Sequence, residues 1–243
     1  MRKFGLVGKN ISYSFSRGYF AEKFRDLGLD DHSYENFDLQ ELSGFPKLVS
    51  ENPGLVGLNV TIPYKEAIMP YLDRIDEAAQ RIGAVNTIRV GPDGLEGFNT
   101  DVIGFRESLR PLLLPEDRCA LILGTGGASK AVAYALDELG ISHRYVSRTP
   151  GEGCLTYEAL DKAILGTSQI LVNCTPLGTF PDTDRSPQLP YELLGPEHLL
   201  YDLIYNPPLT TFLKEGQQRG CRIKNGLEML QIQADRAWVL WNH

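Results

Sequence analysis

The sequence predicts an α/β protein with two domains, and three observations support this prediction. Apolar segments with strand character alternate with helical segments along most of the chain, which is the order typical of α/β folds. A glycine-rich turn joins an apolar strand to an alanine-rich helix near the middle of the chain. The chain has 243 residues, which is near the length at which one hydrophobic core gives way to two.

The first block of elements runs from the start of the chain to about residue 102. A strand at Phe4–Val7 comes first, followed by a helix for which Ser16 is the predicted N-cap. Alternating strand and helix segments follow at residues 34–37, 42–49, 56–62, 66–71, 85–90 and 95–98. From Thr100 the pattern is helical until Pro111 breaks it, so we expect a connector here and a domain boundary near residue 103.

The second block opens with a βαβ unit in residues 119–149. Further apolar strands in QILVNCTP and HLLYDLIYNP are expected to extend a buried parallel sheet, with helices between them. The last predicted helix spans Leu227–Trp241, where apolar side chains recur at helical spacing.

Composition excludes several classes of function. The formal net charge of -7 argues against a surface that binds nucleic acid or anionic lipid. No apolar run approaches the roughly 20 residues of a membrane span, and the apolar run after Met1 is too short for a signal peptide, so we expect a cytoplasmic protein. The four cysteines and four histidines are scattered, which favours chemistry without a metal.

The glycine-rich turn is a candidate nucleotide site. Backbone N–H groups at the start of a helix that follows such a turn can bind phosphate, and the residues in question are Gly124, Gly126, Gly127 and Ala128. The next strand ends at Ser147, Arg148 and Thr149, where an NAD site usually has a carboxylate, so an arginine here favours NADP(H). Two alternatives stay open: a tight turn without a ligand, and an arginine that is merely solvated.

A lysine and an aspartate follow strands of the first block. Lys65 comes after the strand at residues 56–62, and Asp101 comes after the strand at residues 95–98. Ligands of open α/β sheets bind beyond strand ends, so both side chains are expected to face a ligand. An ammonium beside a carboxylate can relay the proton that accompanies hydride transfer. Taken singly, Lys65 is explained as a surface lysine and Asp101 as a helix cap.

Amide and hydroxyl side chains accompany these two residues. Asn59 and Thr61 are two positions apart, so they share one face of their strand, and Asn86 and Asn99 come from neighbouring segments. Such a set is suited to a polyhydroxylated ligand, although Asn86 and Asn99, taken singly, are also explained as turn formers.

Nine short motifs occur in the order in which one known family has them. They are YSFSR, NVTIPYKE, GAVNTI, GFNTD, GTGGAS, SRT, NCTPLG, YDLIYNPPLT and NGLEMLQIQA, and they span nearly the whole chain. On these motifs the sequence resembles the shikimate dehydrogenases. The resemblance implies reversible, NADPH-dependent reduction of 3-dehydroshikimate to shikimate, on the route to chorismate and the aromatic amino acids.

The resemblance also implies roles for particular residues. Lys65 and Asp101 match the catalytic pair of the family. The residues that match substrate contacts are Ser14, Ser16, Asn59, Thr61, Asn86, Tyr205 and Gln233, and the two serines would hold the substrate carboxylate. The residues that match the cofactor site are Gly124, Gly126, Gly127, Ala128, Ser147, Arg148 and Thr149, with Leu203 and Met229 beside the nicotinamide.

The sequence departs from the family pattern at several positions. Tyr13 and Arg17 stand where the family commonly has His and Pro, although both serines of that motif are present. Glu152 stands where many NADP-using members have a second arginine, and its charge would repel a 2′-phosphate. Glu228 replaces a common glycine near the nicotinamide, where it would either alter cleft closure or point to solvent.

The expected architecture is a substrate domain of residues 1–102 with 227–243, and a Rossmann-like NADP-binding domain of residues 103–226. The final helix would pack on the first domain, and the reaction would occur in the cleft between the domains. The expected partner is a small molecule, shikimate or 3-dehydroshikimate, bound by a monomer or homodimer. Two alternatives stay open: a quinate or aminoshikimate dehydrogenase that uses NAD, and a silent sensor that binds a ring acid.

Overall fold

Two six-stranded sheets organise the fold in the computed structural model, which describes residues 1–11, 15–151 and 153–243. The chain divides into two compact units: residues 1–100 with 234–243 form unit 1, and residues 101–233 form unit 2. The predicted α/β class is confirmed. The assignment of one unit to the substrate and the other to the cofactor stays a prediction.

Unit 1 is built on a mixed sheet. Its strands are β1 (Arg2–Gly8), β2 (His32–Asp38), β3 (Leu55–Val60), β4 (Arg74–Ile75), β5 (Thr87–Gly91) and β6 (Gly94–Phe98), and its first helices are α1 (Phe15–Asp26), α2 (Phe45–Glu51) and α3 (Glu77–Ile82). The strand order is β2-β1-β3-β5-β6-β4, with β1 parallel to β2 and β3, and β5 antiparallel to β3 and β6. The carboxyl ends of β3 and β6 therefore lie at the same edge as the amino end of β5.

Unit 2 is built on a fully parallel sheet. Its helices are α4 (Asp101–Leu109), α5 (Gly127–Glu138), α6 (Lys162–Gly166) and α7 (Thr211–Gln218), and its strands are β7 (Cys119–Leu123), β8 (Ser142–Ser147), β9 (Cys154–Thr156), β10 (Ile170–Asn173), β11 (Leu199–Asp202) and β12 (Arg222–Lys224). The last helix, α8 (Leu227–Trp241), begins in unit 2, and its residues from Ala234 onwards belong to unit 1. The strand order is β12-β11-β10-β7-β8-β9. Because all pairs are parallel, the carboxyl ends of the strands meet at one edge.

The last turns of α8 belong to the core of unit 1. Trp241 packs against Phe4 and Phe20, with ring centroids 5.1 and 5.3 Å apart, and its indole N–H donates to the carbonyl of Ile88 at 3.0 Å. Burial of a large apolar side chain stabilises a fold by roughly 1.5–3 kcal/mol, so these contacts anchor the end of the chain to the first sheet.

The structure corrects two local predictions and adds a helix. Residues 66–71 form a turn and a short 3₁₀ helix at Met69–Tyr71 rather than a regular helix, because Pro70 supplies no backbone N–H. Ser16 lies inside the first turn of α1 rather than at its N-cap, since the helix begins at Phe15. Helix α3 was not predicted, although Asp76 caps it by accepting from the N–H of Ala78.

Candidate functional site

Polar side chains line one edge of the first sheet, where β3 and β6 end and β5 begins. Asn59 lies on β3 opposite Thr87, the first residue of β5, and Asn86 directly precedes it. Thr100 follows β6, which ends at Phe98. Strand polarity thus brings Asn59 and Asn86, two of the predicted substrate residues, to the same edge from distant parts of the sequence.

Five of these side chains form a connected hydroxyl–amide network, made of Tyr34, Asn59, Asn86, Thr87 and Thr100. The phenol of Tyr34 donates to Oδ1 of Asn59 at 2.8 Å. Nδ2 of Asn59 donates to the hydroxyl of Thr87 at 3.2 Å and to the carbonyl of Asn86 at 3.4 Å. Oδ1 of Asn86 accepts from the N–H of Thr100 at 2.7 Å and from the hydroxyl of Thr87 at 3.1 Å. The network is buried on its β5 side, where Asn86, Thr87 and Thr100 are at most 3% exposed.

The directions of these hydrogen bonds are fixed by groups that can only donate or only accept. The carbonyl of Asn86 accepts only, so the amide face of Asn59 that points to it must be Nδ2, and Oδ1 must point to Tyr34. Tyr34 therefore donates its proton to Asn59. Burial raises the pKa of Tyr34, an effect that a hydrogen bond with Ser16 opposes, so the phenol stays protonated at neutral pH.

The loop after β3 carries Lys65 to the same edge. The carbonyl of Lys65 accepts from the N–H of Val85 at 2.7 Å, and the carbonyl of Thr61 accepts from the N–H of Tyr64 at 2.9 Å. These backbone bonds tie the half-buried lysine to the segment that leads into β5. Thr61 is also half-buried, and its own N–H donates to the carbonyl of Val7 at 2.9 Å.

The remaining predicted substrate and proton-relay residues are spread over other elements. Asp101 follows Thr100 directly, is the first residue of α4 and is 2% exposed. Ser16 is half-buried in α1, whereas Ser14 lies outside the described residues. Tyr205 follows β11 and Gln233 lies on α8, and burial raises the pKa of Tyr205. That Lys65 and Asp101 act as a pair stays a prediction.

The glycine-rich turn lies at the strand-end edge of unit 2, between β7 and α5. Gly124 has φ +104°, a conformation that favours glycine. A side chain at Gly126 would meet no atom within 4 Å, so the space beside this backbone is open. Gly127 begins α5, and the hydroxyl of Ser129 closes the first turn by donating to the carbonyl of Gly126 at 2.6 Å. Ala128 is half-buried in the same turn.

The residues predicted to bind the 2′-phosphate of NADP lie at the end of β8. Arg148 and Thr149 are exposed, and the N–H of Thr149 donates to the hydroxyl of Ser147 at 3.2 Å. Burial raises the pKa of Tyr157, and the positive charge of Arg148 opposes that rise. Glu152, the predicted repulsive group, lies outside the described residues.

A second polar cluster lies where β10 and β11 end, and we call it the Asp202 cluster. Oδ1 of Asp202 accepts from Nδ2 of Asn173 and from the N–H of Ile204, both at 3.0 Å. Oδ2 accepts from the hydroxyl of Thr210 at 2.6 Å, and this hydroxyl also caps α7. Oδ1 of Asn173 in turn accepts from the hydroxyl of Thr175 at 2.7 Å. Burial raises the pKa of Asp202 to about 6, against the opposing effect of these donors.

The Asp202 cluster fixes the loop that carries Leu203, a predicted nicotinamide contact. The N–H of Leu203 donates to the carbonyl of Asn173 at 3.1 Å, and the backbone of Gly226 approaches so closely that a side chain there would overlap the Leu203 carbonyl. Met229, the other predicted nicotinamide contact, is buried on α8, where its backbone lies against Gly104 of α4.

Several residues of the two polar clusters were missed by the sequence analysis. Thr87 and Thr100 stand in the quoted motifs GAVNTI and GFNTD, next to the asparagines that were singled out. Asn173 and Asp202 stand likewise in NCTPLG and YDLIYNPPLT. Tyr34 lies outside every quoted motif, and a tyrosine in a strand gives no signal that its hydroxyl has a particular partner.

The residues of the glycine turn fit a dinucleotide phosphate. The backbone at Gly126 borders open space, α5 begins there, and a cation stands at the end of the next strand. Within residues 1–11, 15–151 and 153–243, no three His, Cys, Asp or Glu side chains are grouped so as to hold a metal ion. In the same ranges, no helix combines the length and apolarity that crossing a membrane requires.

Comparison with known proteins gives consistent matches. The family model of the shikimate dehydrogenase substrate binding domain matches residues 6–88. The shikimate dehydrogenase (NADP(+)) of Thermus thermophilus is 40% identical over 250 residues, which cover 99% of this chain and 92% of that protein.

Solved structures agree with this match. Shikimate 5-dehydrogenase of Thermus thermophilus, in complex with NADP(H) and shikimate, superposes with a TM-score of 0.88 at 37% identity, covering 99% of this chain and 93% of that chain. Shikimate 5-dehydrogenase of Listeria monocytogenes, in complex with shikimate and NAD, gives 0.89 at 26% identity, covering 100% and 92%. Because a relative with 40% identity matches nearly the full length of both chains, this protein belongs to the shikimate dehydrogenase family.

Proposed function

We propose that this protein is an NADP-dependent shikimate dehydrogenase, which interconverts 3-dehydroshikimate and shikimate on the route to chorismate and the aromatic amino acids. The observation that carries the proposal is the polar edge of the first sheet. There Asn59 and Asn86 are held in fixed orientations by neighbouring side chains, in a chain whose relatives share this activity over almost their full length. Fixed amides are suited to a substrate with several hydroxyl groups.

The proposed roles follow from the chemistry of a ketone reduction. Lys65, as an ammonium, donates a proton to the carbonyl oxygen while the carbonyl carbon receives a hydride. Asp101 is the second group of the proton relay, and in the oxidation of shikimate the relay accepts the proton of the alcohol. Ser14 and Ser16 bind the carboxylate of the substrate, and the remaining contacts to its ring and hydroxyls are Asn59, Thr61, Asn86, Tyr205 and Gln233.

The cofactor is proposed to bind through the glycine turn and the end of β8. The amides of Gly126, Gly127 and Ala128 face its phosphates, with Gly124 making the turn, and Arg148 binds the 2′-phosphate together with the hydroxyls of Ser147 and Thr149. Leu203 and Met229 are proposed to contact the nicotinamide. When bound, NADPH would supply the hydride for the reduction.

The setting of the enzyme is also proposed. We expect it to act in the cytoplasm, as a monomer or homodimer, on a small molecule rather than on nucleic acid or a membrane. The net charge of -7 supports the choice of a small molecule, because nucleic acid and anionic lipid attract basic surfaces.

The test is a kinetic comparison of two substrates and two cofactors. Purified protein is assayed at 340 nm with shikimate or quinate, each with NADP or NAD. We expect kcat/KM for shikimate with NADP to exceed every other combination by at least about tenfold. Higher values with NAD would favour the second candidate, an NAD-dependent quinate or aminoshikimate dehydrogenase, to which the charge of Glu152 points. Binding of shikimate without turnover would favour a silent sensor.

Replacement of the lysine tests its role. Lys65→Ala should lower kcat by about 10²–10⁴-fold and leave KM for shikimate within a few fold, because the proton donor acts in the transition state. Lys47→Ala is the control, since the Lys47 side chain is 76% exposed and pairs only loosely with Glu51, at 3.7 Å. A Lys65→Ala enzyme that retains most of its turnover would exclude Lys65 as the proton donor.

A further inference from the structure

The Tyr34 phenol connects two residues that are proposed to bind different groups of the substrate. It donates to Oδ1 of Asn59 at 2.8 Å, and it shares a hydrogen bond with the Ser16 side chain that lowers its pKa against the effect of burial. Tyr34 is 7% exposed, and its ring stacks on Phe20, with the ring centroids 4.7 Å apart and an interplanar angle of 10°. The phenol is therefore held in place between the proposed carboxylate site and the proposed hydroxyl site.

The order of protons in this chain of hydrogen bonds follows from the fixed amide of Asn59. Tyr34 donates its hydrogen bond to Asn59, so the phenol oxygen can only accept from Ser16. The Ser16 hydroxyl is therefore the donor to Tyr34. In the protein without substrate, the Ser16 proton is thus directed at Tyr34 rather than at a ligand. Likewise, Oδ1 of Asn59 is already engaged by Tyr34.

We propose that Tyr34 is a positioning residue that reverses its hydrogen bond when substrate binds, so that the carboxylate and a ring hydroxyl are recognised together. A carboxylate at Ser16 accepts the hydrogen bond of the serine hydroxyl, and the Tyr34 hydroxyl then rotates to donate to the Ser16 oxygen. This rotation releases Oδ1 of Asn59, which accepts from a hydroxyl of the substrate. The inference rests on the proposed function, in which Ser16 and Asn59 bind these two groups.

The energetics favour the reversed chain only when an anion is present. A hydrogen bond to a carboxylate is roughly twice as strong as a neutral one, and a donor behind the serine strengthens it further. Without the phenol, water can replace the lost partners of half-buried Ser16 and Asn59 in the free protein. In the complex the substrate excludes that water, so loss of the Tyr34 hydrogen bonds destabilises mainly the bound state.

The test is Tyr34→Phe, which keeps the stacked ring and removes only the hydroxyl. We expect KM and the calorimetric Kd for shikimate to rise by about tenfold, with kcat and KM for NADP within about threefold of wild type. Fluorescence of Trp241, whose ring centroid lies 6.4 Å from that of Tyr34, verifies that unit 1 is folded. Tyr191→Phe is the matched control, because it removes a phenol that donates to the carbonyl of Pro187 at 2.8 Å in unit 2.

Two further arms separate a role through Ser16 from a general loss of packing. In a Ser16→Ala background, Tyr34→Phe should change Kd by less than about twofold, because the serine that relays its effect is absent. With the methyl ester of shikimate, which lacks the charge, the effect of Tyr34→Phe should fall below about threefold.

The outcomes distinguish this inference from the proposed function. A wild-type protein that neither binds nor oxidises shikimate overturns both. An active wild type whose Kd is unchanged by Tyr34→Phe, or is changed equally with and without Ser16, overturns the role of Tyr34 alone.

Discussion

The two polar clusters at the sheet edges of this protein differ in how their hydrogen bonds are shared. In the hydroxyl–amide network of unit 1, Oδ1 of Asn86 accepts from the hydroxyl of Thr87 and from both the N–H and the hydroxyl of Thr100. Nδ2 of Asn59 likewise has two acceptors. No member carries a charge, and loss of the Thr87 hydroxyl would still leave Oδ1 of Asn86 two donors and Nδ2 of Asn59 one acceptor.

The Asp202 cluster of unit 2 depends instead on one carboxyl group. The two oxygens of Asp202 accept from Asn173, Ile204 and Thr210, and Asp202 is fully buried. Each of these donors faces the same side chain. A redundant, uncharged network leaves its hydroxyl groups free to rotate, as we propose for Tyr34, whereas a cluster around one carboxyl fixes its loops and is expected to depend on pH.

The largest expected effect is that of removing the shared acceptor. Asp202→Ala should lower the free energy of unfolding by about 3 kcal/mol or more at pH 5, because three buried donors lose their acceptor and a cavity forms. Thr87→Val, in the redundant network, should cost only about 1 kcal/mol. Urea denaturation followed by far-UV circular dichroism measures both variants.

Tryptophan fluorescence shows which unit is destabilised by Asp202→Ala. The two tryptophans of the chain, Trp238 and Trp241, both belong to unit 1, so their emission reports on this unit alone. Asp202→Ala should therefore affect the circular dichroism transition more than the fluorescence transition. Equal costs for Asp202→Ala and Thr87→Val would remove the distinction between the two clusters.

A smaller effect should appear in the pH dependence of stability. Burial raises the pKa of Asp202 from 3.8 in the unfolded chain to about 6 in the folded protein. The folded state therefore binds the proton more tightly, and the contribution of this group to stability is lost as pH rises from about 4 to 6. The neighbouring Cys174 thiol, whose pKa is raised by burial and then by Asp202, stays protonated in this range.

Asp202→Asn tests this sign, because the amide mimics the protonated acid: one oxygen accepts, and the NH2 group donates to Thr210. The stability of Asp202→Asn relative to wild type should increase by about 1 kcal/mol between pH 5 and pH 8. The difference between Thr87→Val and wild type should be the same at both pH values. A relative stability of Asp202→Asn that falls with pH would mean that the pKa of Asp202 is lowered in the folded protein.

The contrast between the clusters also explains how far the fold could be predicted. Helix α8 was predicted at Leu227–Trp241 with its observed bounds, because its apolar spacing is regular over fifteen residues. The strands of unit 2 were recognisable as apolar runs, since parallel strands are buried on both faces. Residues 66–71 misled the prediction, because their helical spacing is real but Pro70 interrupts the hydrogen bonding.

The site was predictable only where a motif carried it. The family prediction is confirmed, and the motifs supplied Asn59 and Asn86, which the structure joins through Thr87. Tyr34 could not be found in this way, because its role depends on strand pairing. It lies on β2, and β1 separates that strand from β3, which carries its partner Asn59. A contact made across an intervening strand leaves no periodic trace in the sequence.

The smallest effect is expected at Glu228, a charged residue of unit 2 that lies outside both clusters. Its side chain is 47% exposed, pairs with Lys224 and stands in the first turn of α8. Glu228→Gln should cost about 0.5 kcal/mol, the sum of a surface ion pair and a charge at a helix N-terminus, and KM for NADP should stay within about twofold. Glu215→Gln, which breaks the pair between α7 and its C-cap residue Arg219, is the control. A tenfold change in KM for NADP would show that Glu228, unlike an ordinary surface charge, acts on the cofactor site in place of the glycine common in the family.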